Sequence, residues 1–241
     1  MENYISLKLL NGLEALGITL NNSQKNQILK YISLVNEYNQ YFNLTGFKTL
    51  EKILIELVFD SLSLIGINYS FKGVNTIIDV GTGAGIPGIP LKILFPHIHF
   101  SFVDSSHKKI NFIKLVANQL SLMDVTFITE RAEVLGKNPA FREKFDLVIS
   151  RALTSLSANL ELTTPLLKVN GEGVFYKGDS YQKEIADSHN SLYQLQCQVL
   201  SVLKTIIPFS DRMNYFVIVK KHSSTPSIYP RKVGIPQKYP L

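Results

Sequence analysis

A glycine-rich turn after a short β-branched run carries the clearest chemical signal in the chain. Ile77-Ile-Asp-Val80 leads directly into Gly81-Thr-Gly83-Ala-Gly85, and Pro87 is predicted to lie in the first turn of the next helix. Glycine is needed where a backbone turns sharply and lies against a ligand. A dinucleotide-binding fingerprint would require glycine at position 86, where this chain has Ile86. The turn therefore predicts a nucleotide-type ligand and argues against NAD.

Two acidic residues flank this turn. Asp79 lies two residues before Gly81, where a carboxylate would repel a pyrophosphate but suits an amine or sulfonium cation, as in S-adenosylmethionine. Asp104 ends the next predicted strand, from where a carboxylate can accept hydrogen bonds from both ribose hydroxyls. Asp104 could instead cap the helix that begins near Ser105, and both roles are compatible in one loop.

Alternating strands and helices are predicted to position these residues. Five short β-branched or aromatic runs are strand candidates, and they cover residues 76–80, 99–103, 125–129, 145–149 and 173–177. Between them lie helical stretches at 87–94, 108–120, 132–135 and 155–167. This alternation predicts parallel strands joined by right-handed crossovers, an α/β doubly wound sheet. Two further runs, 198–206 and 214–219, follow a helical stretch at 181–195 and predict an antiparallel hairpin at one edge.

The first seventy residues have a helical pattern instead. Apolar residues recur three or four apart from Ser23 to Tyr41, with Ser23 as the expected N-cap, and again from Glu51 to Ile65. We therefore expect three parts: an N-terminal helical cap over 1–69, a ligand-binding sheet domain over 70–222, and a basic C-terminal tail over 223–241.

Composition narrows the classes of protein. With 45% hydrophobic and 18% charged residues, the 241-residue chain is neither disordered nor collagen-like. Cys197 is the only cysteine, which excludes an intrachain disulfide and a cysteine-cluster zinc site. No metal site is predicted, and no apolar run approaches the length that spans a bilayer. We expect a cytoplasmic protein without a membrane partner. The oligomeric state is not determined by the sequence, and a monomer is the default expectation.

The formal net charge of +6 is confined to the end of the chain. Residues 1–203 contain 18 basic and 18 acidic residues. Residues 204–241 contain only one acidic residue, Asp211, against seven basic ones. Such an extension predicts contacts with RNA phosphates, although a solvated tail is the alternative. Deleting Ser223–Leu241 is therefore expected to weaken RNA binding while sparing cofactor affinity.

Motifs along nearly the whole chain resemble those of one family. They are Asn43-Leu-Thr45, Asp60-Ser61, Asp79-Val-Gly-Thr-Gly-Ala-Gly-Ile-Pro-Gly88, Val103-Asp-Ser105, Ser150-Arg-Ala152 and the terminal Tyr229-Pro-Arg-Lys-Val-Gly-Ile-Pro-Gln-Lys-Tyr-Pro-Leu241. In these motifs the chain resembles the bacterial 16S ribosomal RNA guanine-N7 methyltransferases. The resemblance implies a Rossmann-like class I methyltransferase sheet, S-adenosyl-L-methionine as cofactor, and 16S ribosomal RNA or the small ribosomal subunit as partner. The class-level alternative is a non-catalytic RNA- or nucleotide-binding module with this fold.

The same resemblance implies the site residues. Arg151 is the expected catalytic residue, Asp104 is expected to hold the ribose, and the backbone at Ala132-Glu133 is expected to meet the adenine. The full set expected at the cofactor is Gly81, Gly83, Ile86, Asp104, Ser105, Ala132, Glu133 and Arg151. Two departures are Tyr38, where the family usually has tryptophan, and Leu57, where it has histidine. The latter puts any catalytic role of that histidine in doubt.

Guanine N7 already offers a lone pair, so a transfer to it needs no general base, and positioning should dominate catalysis. Arg151 follows the fourth predicted strand, at the edge where open α/β sheets bind ligands. It could contact guanine O6, a phosphate or the cofactor's carboxylate, or simply pair with an acid such as Glu133. Asp60 and Ser61 are unusual inside a helix, which suggests that they pack against the glycine turn.

Overall fold

Five parallel strands and a terminal hairpin form one seven-stranded sheet in the computed structural model, which describes residues 2–241. The strand order is β3-β2-β1-β4-β5-β7-β6, with β7 antiparallel to both β5 and β6. The predicted α/β fold class is therefore confirmed. The strands are β1 (Thr76–Val80), β2 (His99–Asp104), β3 (Val125–Thr129), β4 (Phe145–Arg151), β5 (Leu167–Lys177), β6 (Cys197–Ile206) and β7 (Met213–Lys221).

Helices cover both faces of this sheet because successive strand residues point to opposite sides. Ile77 of β1 packs in the core formed with the N-terminal helices, whereas its neighbour Ile78 packs in a separate cluster with Leu135. The helices before β4 are α1 (Glu2–Ala15), α2 (Asn22–Tyr38), α3 (Leu50–Ile53), α4 (Asp60–Gly66), α5 (Gly88–Leu94), α6 (His107–Gln119) and α7 (Ala132–Leu135). Those after it are α8 (Leu156–Thr163), α9 (Tyr181–Ala186), α10 (His189–Gln194) and α11 (Ile235–Lys238).

The N-terminal helices differ from the sequence expectation in their ends. Helix α2 is capped by Asn21, whose side chain accepts from the Gln24 N–H while Gln24 bonds back, so the expected cap Ser23 is wrong. The stretch expected at 51–65 is helical throughout, but its middle, Leu54–Phe59, widens into a π-helix before α4. Helix α1 lies within the expected helical cap, but no separate helix was predicted at its position.

Two later helices are shorter than predicted. Helix α8 ends at Thr163 and a 3₁₀ turn with Pro165 follows, because proline has no N–H for an α-helical hydrogen bond. The stretch at 181–195 divides into α9 and α10 at Asp187-Ser188, where the Ser188 hydroxyl donates to the Glu184 carbonyl oxygen (2.6 Å). Within residues 2–241, no helix is both long and apolar enough to cross a bilayer.

Candidate functional site

The glycine turn is tied to the end of the neighbouring strand. The backbone N–H groups of Gly81 and Thr82 both donate to the Val103 carbonyl oxygen, at 2.9 and 3.0 Å. Gly81 has φ +74°, and a Cβ there would lie 2.5 Å from the Leu153 side chain. Only glycine meets both conditions, the left-handed backbone and the close approach of the segment after β4. The turn therefore brings the carboxyl ends of β1, β2 and β4 together.

Asp79 supports this turn from below. Its Oδ2 accepts from the Thr82 hydroxyl (2.7 Å) and from the Gly88 N–H (3.0 Å), and its side chain is fully buried. Its Oδ1 has no hydrogen-bond partner among residues 2–241. Burial raises the pKa of Asp79 to about 8. The sequence hypothesis that this carboxylate faces a cationic ligand is wrong. The Asp79 side chain is buried beneath the glycine turn and does not line the cleft that opens beside Asp104.

Asp104 lies on the accessible side of the same turn. One carboxylate oxygen accepts from the Gly83 N–H (3.1 Å) and the other from the Ser106 N–H (2.9 Å). Lys109 lies 3.5 Å from this carboxylate. Asp104 thus spans the glycine turn and the start of α6, so the capping alternative describes a real part of its role.

A cleft of about 280 Å³ opens beside Asp104, and we call it the glycine-turn cleft. Ala152, Leu153, Leu162 and Gln237 form part of its wall. The cleft brings together five of the expected cofactor residues: Gly81, Asp104, Ser105, Ala132 and Glu133. The other three lie outside its wall: Gly83 contacts Asp104 through its N–H, Ile86 is buried in the main core, and Arg151 faces elsewhere.

Arg151 lines a second cavity of about 370 Å³, which we call the Asp60 cavity. Its guanidinium lies 2.8 Å from the Asp60 carboxylate and donates to the Glu56 carbonyl oxygen (3.0 Å). The acid that pairs with Arg151 is thus Asp60 and not Glu133. Ala152, in a left-handed conformation with φ +52°, lines both cavities and separates the two.

Asp60 is the centre of a buried polar cluster that sequence reasoning missed. Arg212, at the hairpin between β6 and β7, lies 2.8 Å from its Oδ2 and 3.2 Å from Glu56. The Asn214 side-chain amide donates to the other Asp60 oxygen. The expectation that Asp60 packs against the glycine turn is wrong, because its partners come from β4, the hairpin loop and β7.

The C-terminal segment also contributes to the site, which the sequence did not predict. The Gly234 N–H donates to the Glu133 Oε1 at 2.9 Å, and Gln237 lines the glycine-turn cleft. Four of the seven basic residues after position 203 pair with acids of the same chain. These are Arg212, Lys220, Lys221 and Arg231. The excess positive charge of residues 204–241 is therefore less available to an external polyanion than the sequence suggests.

The groups in the glycine-turn cleft fit a ligand that contains a nucleoside. The Asp104 oxygens keep lone pairs that Gly83 and Ser106 do not use, which suits ribose hydroxyls. A Cβ at Gly83 would meet only the Gly81 carbonyl oxygen, at 3.9 Å, so the turn leaves space beside it. Within residues 2–241, no group of three or more His, Cys, Asp or Glu is arranged to hold a metal ion. The residues present therefore suit the nucleoside part of a ligand such as S-adenosylmethionine.

Comparison with known proteins decides the family. The family model for rRNA small subunit methyltransferase G, GidB, matches residues 24–211. The chain belongs to this family. Ribosomal RNA small subunit methyltransferase G from Alkaliphilus metalliredigens is 38% identical over 241 residues, covering 100% of both chains. The protein of that name from Streptococcus agalactiae serotype V is 40% identical over 225 residues, covering 93% of this chain and 94% of the relative.

Solved structures share the fold with this member of the methyltransferase G family. The PH0226 protein from Pyrococcus horikoshii OT3 superposes with a TM-score of 0.53 at 15% identity, covering 78% of this chain and 98% of that one. A 16S rRNA (adenine(1408)-N(1))-methyltransferase from Catenulisporales acidiphilia has a TM-score of 0.50 at 14% identity, covering 62% and 86%. The family resemblance and the methyltransferase fold expected from the sequence are both confirmed.

Proposed function

We propose that this protein transfers a methyl group from S-adenosylmethionine to N7 of a guanine in 16S ribosomal RNA. One observation carries the proposal: in a chain of the methyltransferase G family, Gly81, Asp104 and Glu133 line a single cleft at the carboxyl ends of β1 and β2. Open α/β sheets bind ligands at this edge. The cytoplasm is the proposed location, because ribosomal RNA is the proposed substrate.

The side chains of the site mainly have to position the methyl donor and the guanine. When bound, S-adenosylmethionine would supply an electrophilic methyl group to the lone pair of guanine N7, with S-adenosylhomocysteine as the leaving group. No proton has to be removed from N7, so the reaction needs no general base beside the target guanine. Holding the two reactants in line can itself supply much of the rate enhancement.

The two neighbouring cavities can hold the two reactants separately. The glycine-turn cleft presents the Asp104 carboxylate toward a ribose, and the Asp60 cavity presents the guanidinium of Arg151. Ala152 belongs to both walls. We therefore propose that the target nucleotide enters the Asp60 cavity, with Arg151 contacting guanine O6 or a phosphate, so that N7 faces the methyl group beside Ala152. Arg151 cannot grip O6 and N7 together while N7 reacts.

Labelled methyl transfer tests the proposal. Adenosylmethionine with a labelled methyl group is incubated with the protein and with small subunits, or naked 16S RNA, from a strain that lacks it. Label should enter the RNA, and chain cleavage at N7-methylated guanine should map it to a guanine. RNA from the parental strain, already methylated, should accept far less. Binding of the cofactor without any labelled guanine would contradict the proposal and favour the non-catalytic module.

A further inference from the structure

The last nineteen residues, 223–241, are fixed to the sheet domain along their whole length, and we call them the C-terminal strap. The guanidinium of Arg142 donates to the carbonyl oxygens of Thr225 (2.6 Å) and Tyr229 (2.9 Å). At the far end, the Ser157 hydroxyl donates to the backbone oxygen of Leu241 (3.0 Å). The strap thus has a defined course, unlike the solvated tail that its composition would allow.

A buried ion pair anchors the middle of the strap. Glu161 of α8 is fully buried, and Arg231 donates to it through its backbone N–H (2.7 Å) and its guanidinium (2.6 Å). The same guanidinium donates to the Tyr239 carbonyl oxygen (2.7 Å), closing the loop that contains α11. An unpaired buried carboxylate would be costly, so Glu161 holds this part of the strap in place.

From this anchor the strap reaches the glycine-turn cleft. The Gly234 N–H bonds to the side chain of Glu133, a buried residue of the cleft wall. Gln237, one turn further along, lines the cleft together with Gly81 and Asp104. Its carboxamide makes no hydrogen bond to any of residues 2–241, so both its donor and its acceptor are available. Gln237 is therefore the one strap side chain in the cleft wall, and its polar groups are free to bind a ligand.

We propose that the C-terminal strap completes the cofactor site and that Gln237 is a further cofactor-binding residue, contacting the adenine edge. A carboxamide can donate to a ring nitrogen and accept from an exocyclic amine, the pairing by which Asn and Gln select adenine. The strap enters the cleft beside Glu133, while Asp104 is left for the ribose. The proposal rests on adenosylmethionine being the cofactor, and it assigns part of the strap's role to the cofactor rather than to RNA.

Titration calorimetry with S-adenosylhomocysteine, the reaction product, tests this on point variants of the full chain and on one shortened chain. Gln237→Ala should weaken binding about five- to ten-fold, the loss of one or two hydrogen bonds. Lys238→Ala, on the same short helix but outside the cleft wall, is the matched control and should bind like the wild type. A chain ending at Lys232 keeps the Arg231–Glu161 pair and should lose at least as much affinity as Gln237→Ala. Sequence reasoning alone expects no such loss from shortening the tail.

The base analogue S-inosylhomocysteine distinguishes a contact from a structural effect. It carries a carbonyl in place of the adenine amine, so a glutamine that accepts from this amine should make the wild type prefer the adenosyl compound. Gln237→Ala should reduce that preference, whereas a variant that merely loosens the strap should weaken both ligands equally. Equal weakening, or binding by Gln237→Ala and the shortened chain within two-fold of the wild type, would overturn the proposal. A wild type that binds adenosylhomocysteine but methylates no RNA would instead contradict the proposed function alone.

Discussion

Arg151 Nη2 on β4 lies 2.8 Å from Asp60 Oδ2 on α4, and this ion pair joins the end of the sheet to the N-terminal helices. Arg212 reaches the same carboxylate from the hairpin, so one buried acid links three separate parts of the chain. A buried charge is tolerated only with such partners. The cluster therefore holds Arg151 in the wall of the Asp60 cavity while leaving part of its guanidinium accessible.

Replacing Asp60 by Asn should destabilise the protein. The Asp60 side chain is only 2% exposed, and its loss leaves Arg151 facing Arg212 without an intervening negative charge. We expect the free energy of unfolding to fall by about 3–5 kcal/mol, as for other broken buried pairs. Urea unfolding measures this. Asp211→Asn, an exposed acid in the same hairpin, should change the free energy by less than about 0.5 kcal/mol, and equal effects of the two variants would contradict the cluster's importance.

Replacing Arg151 by Ala should reduce methyl transfer but leave cofactor affinity nearly unchanged. Arg151 lines the Asp60 cavity and not the glycine-turn cleft, so adenosylhomocysteine should bind within about two-fold of the wild type. Methyl transfer at saturating cofactor should fall by about a hundred-fold, because the target base loses its positioning contact.

Asp60→Asn serves as a control for Arg151→Ala, since it disturbs the same cluster but keeps the arginine. A loss of cofactor affinity in Arg151→Ala, with an unchanged rate at saturating cofactor, would move Arg151 to the cofactor site. Full activity and full affinity would leave it as a structural ion-pair residue only.

Replacing Asp104 by Ala should affect the cofactor directly. The variant loses the bonds from the Gly83 and Ser106 N–H groups and the carboxylate that faces the cleft. Hydrogen bonds to a charged group contribute about 1.5–3 kcal/mol, so affinity for adenosylhomocysteine should fall by at least about ten-fold in calorimetry. Asp124→Ala, which removes an exposed acid paired with His99, is the control and should leave affinity unchanged.

The sheet could be predicted in detail because local signals determine it. Every predicted strand overlaps an observed one, and the hairpin is predicted by two runs around Pro208-Phe-Ser-Asp211. The start of β5 is wrong, because this strand begins at Leu167 and not at position 173. The meeting of Gly81 and Asp104 in one cleft could also be predicted, since both stand at strand ends that parallel pairing must bring together.

Long-range partners could not be predicted in the same way. Asp60 and Arg212 are separated by 152 residues, and their pairing depends on the position of the hairpin over α4. Likewise, no periodicity indicates that the chain after β7 returns to α7 and α8, where Gly234 meets Glu133. The composition of the tail suggests that it binds an external polyanion. In the structure, however, Arg231 of the tail forms an ion pair with Glu161.

Asp79 makes the stability of the protein depend on pH. Burial raises its pKa to about 8 in the folded state, whereas an unfolded aspartate titrates near 3.9. Between these values the folded protein retains a proton that the unfolded chain has released, so this group lowers stability as the pH rises from about 4 to 8. Asp79→Asn resembles the protonated acid and removes the titration.

The difference in unfolding free energy between Asp79→Asn and the wild type should therefore shift in favour of the variant with increasing pH, by up to about 1.4 kcal/mol per pH unit. Urea unfolding at pH 5, 6, 7 and 8 measures it. Asp146 provides the contrast: burial opposes it, but the hydrogen bonds from Lys168 and from the Asn75 and Thr76 backbones lower the pKa of Asp146. Its contribution is lost only as the pH falls below about 4, so Asp146→Asn should show a constant deficit over this range. Parallel pH curves for Asp79→Asn and the wild type would mean that Asp79 stays ionised beneath the glycine turn.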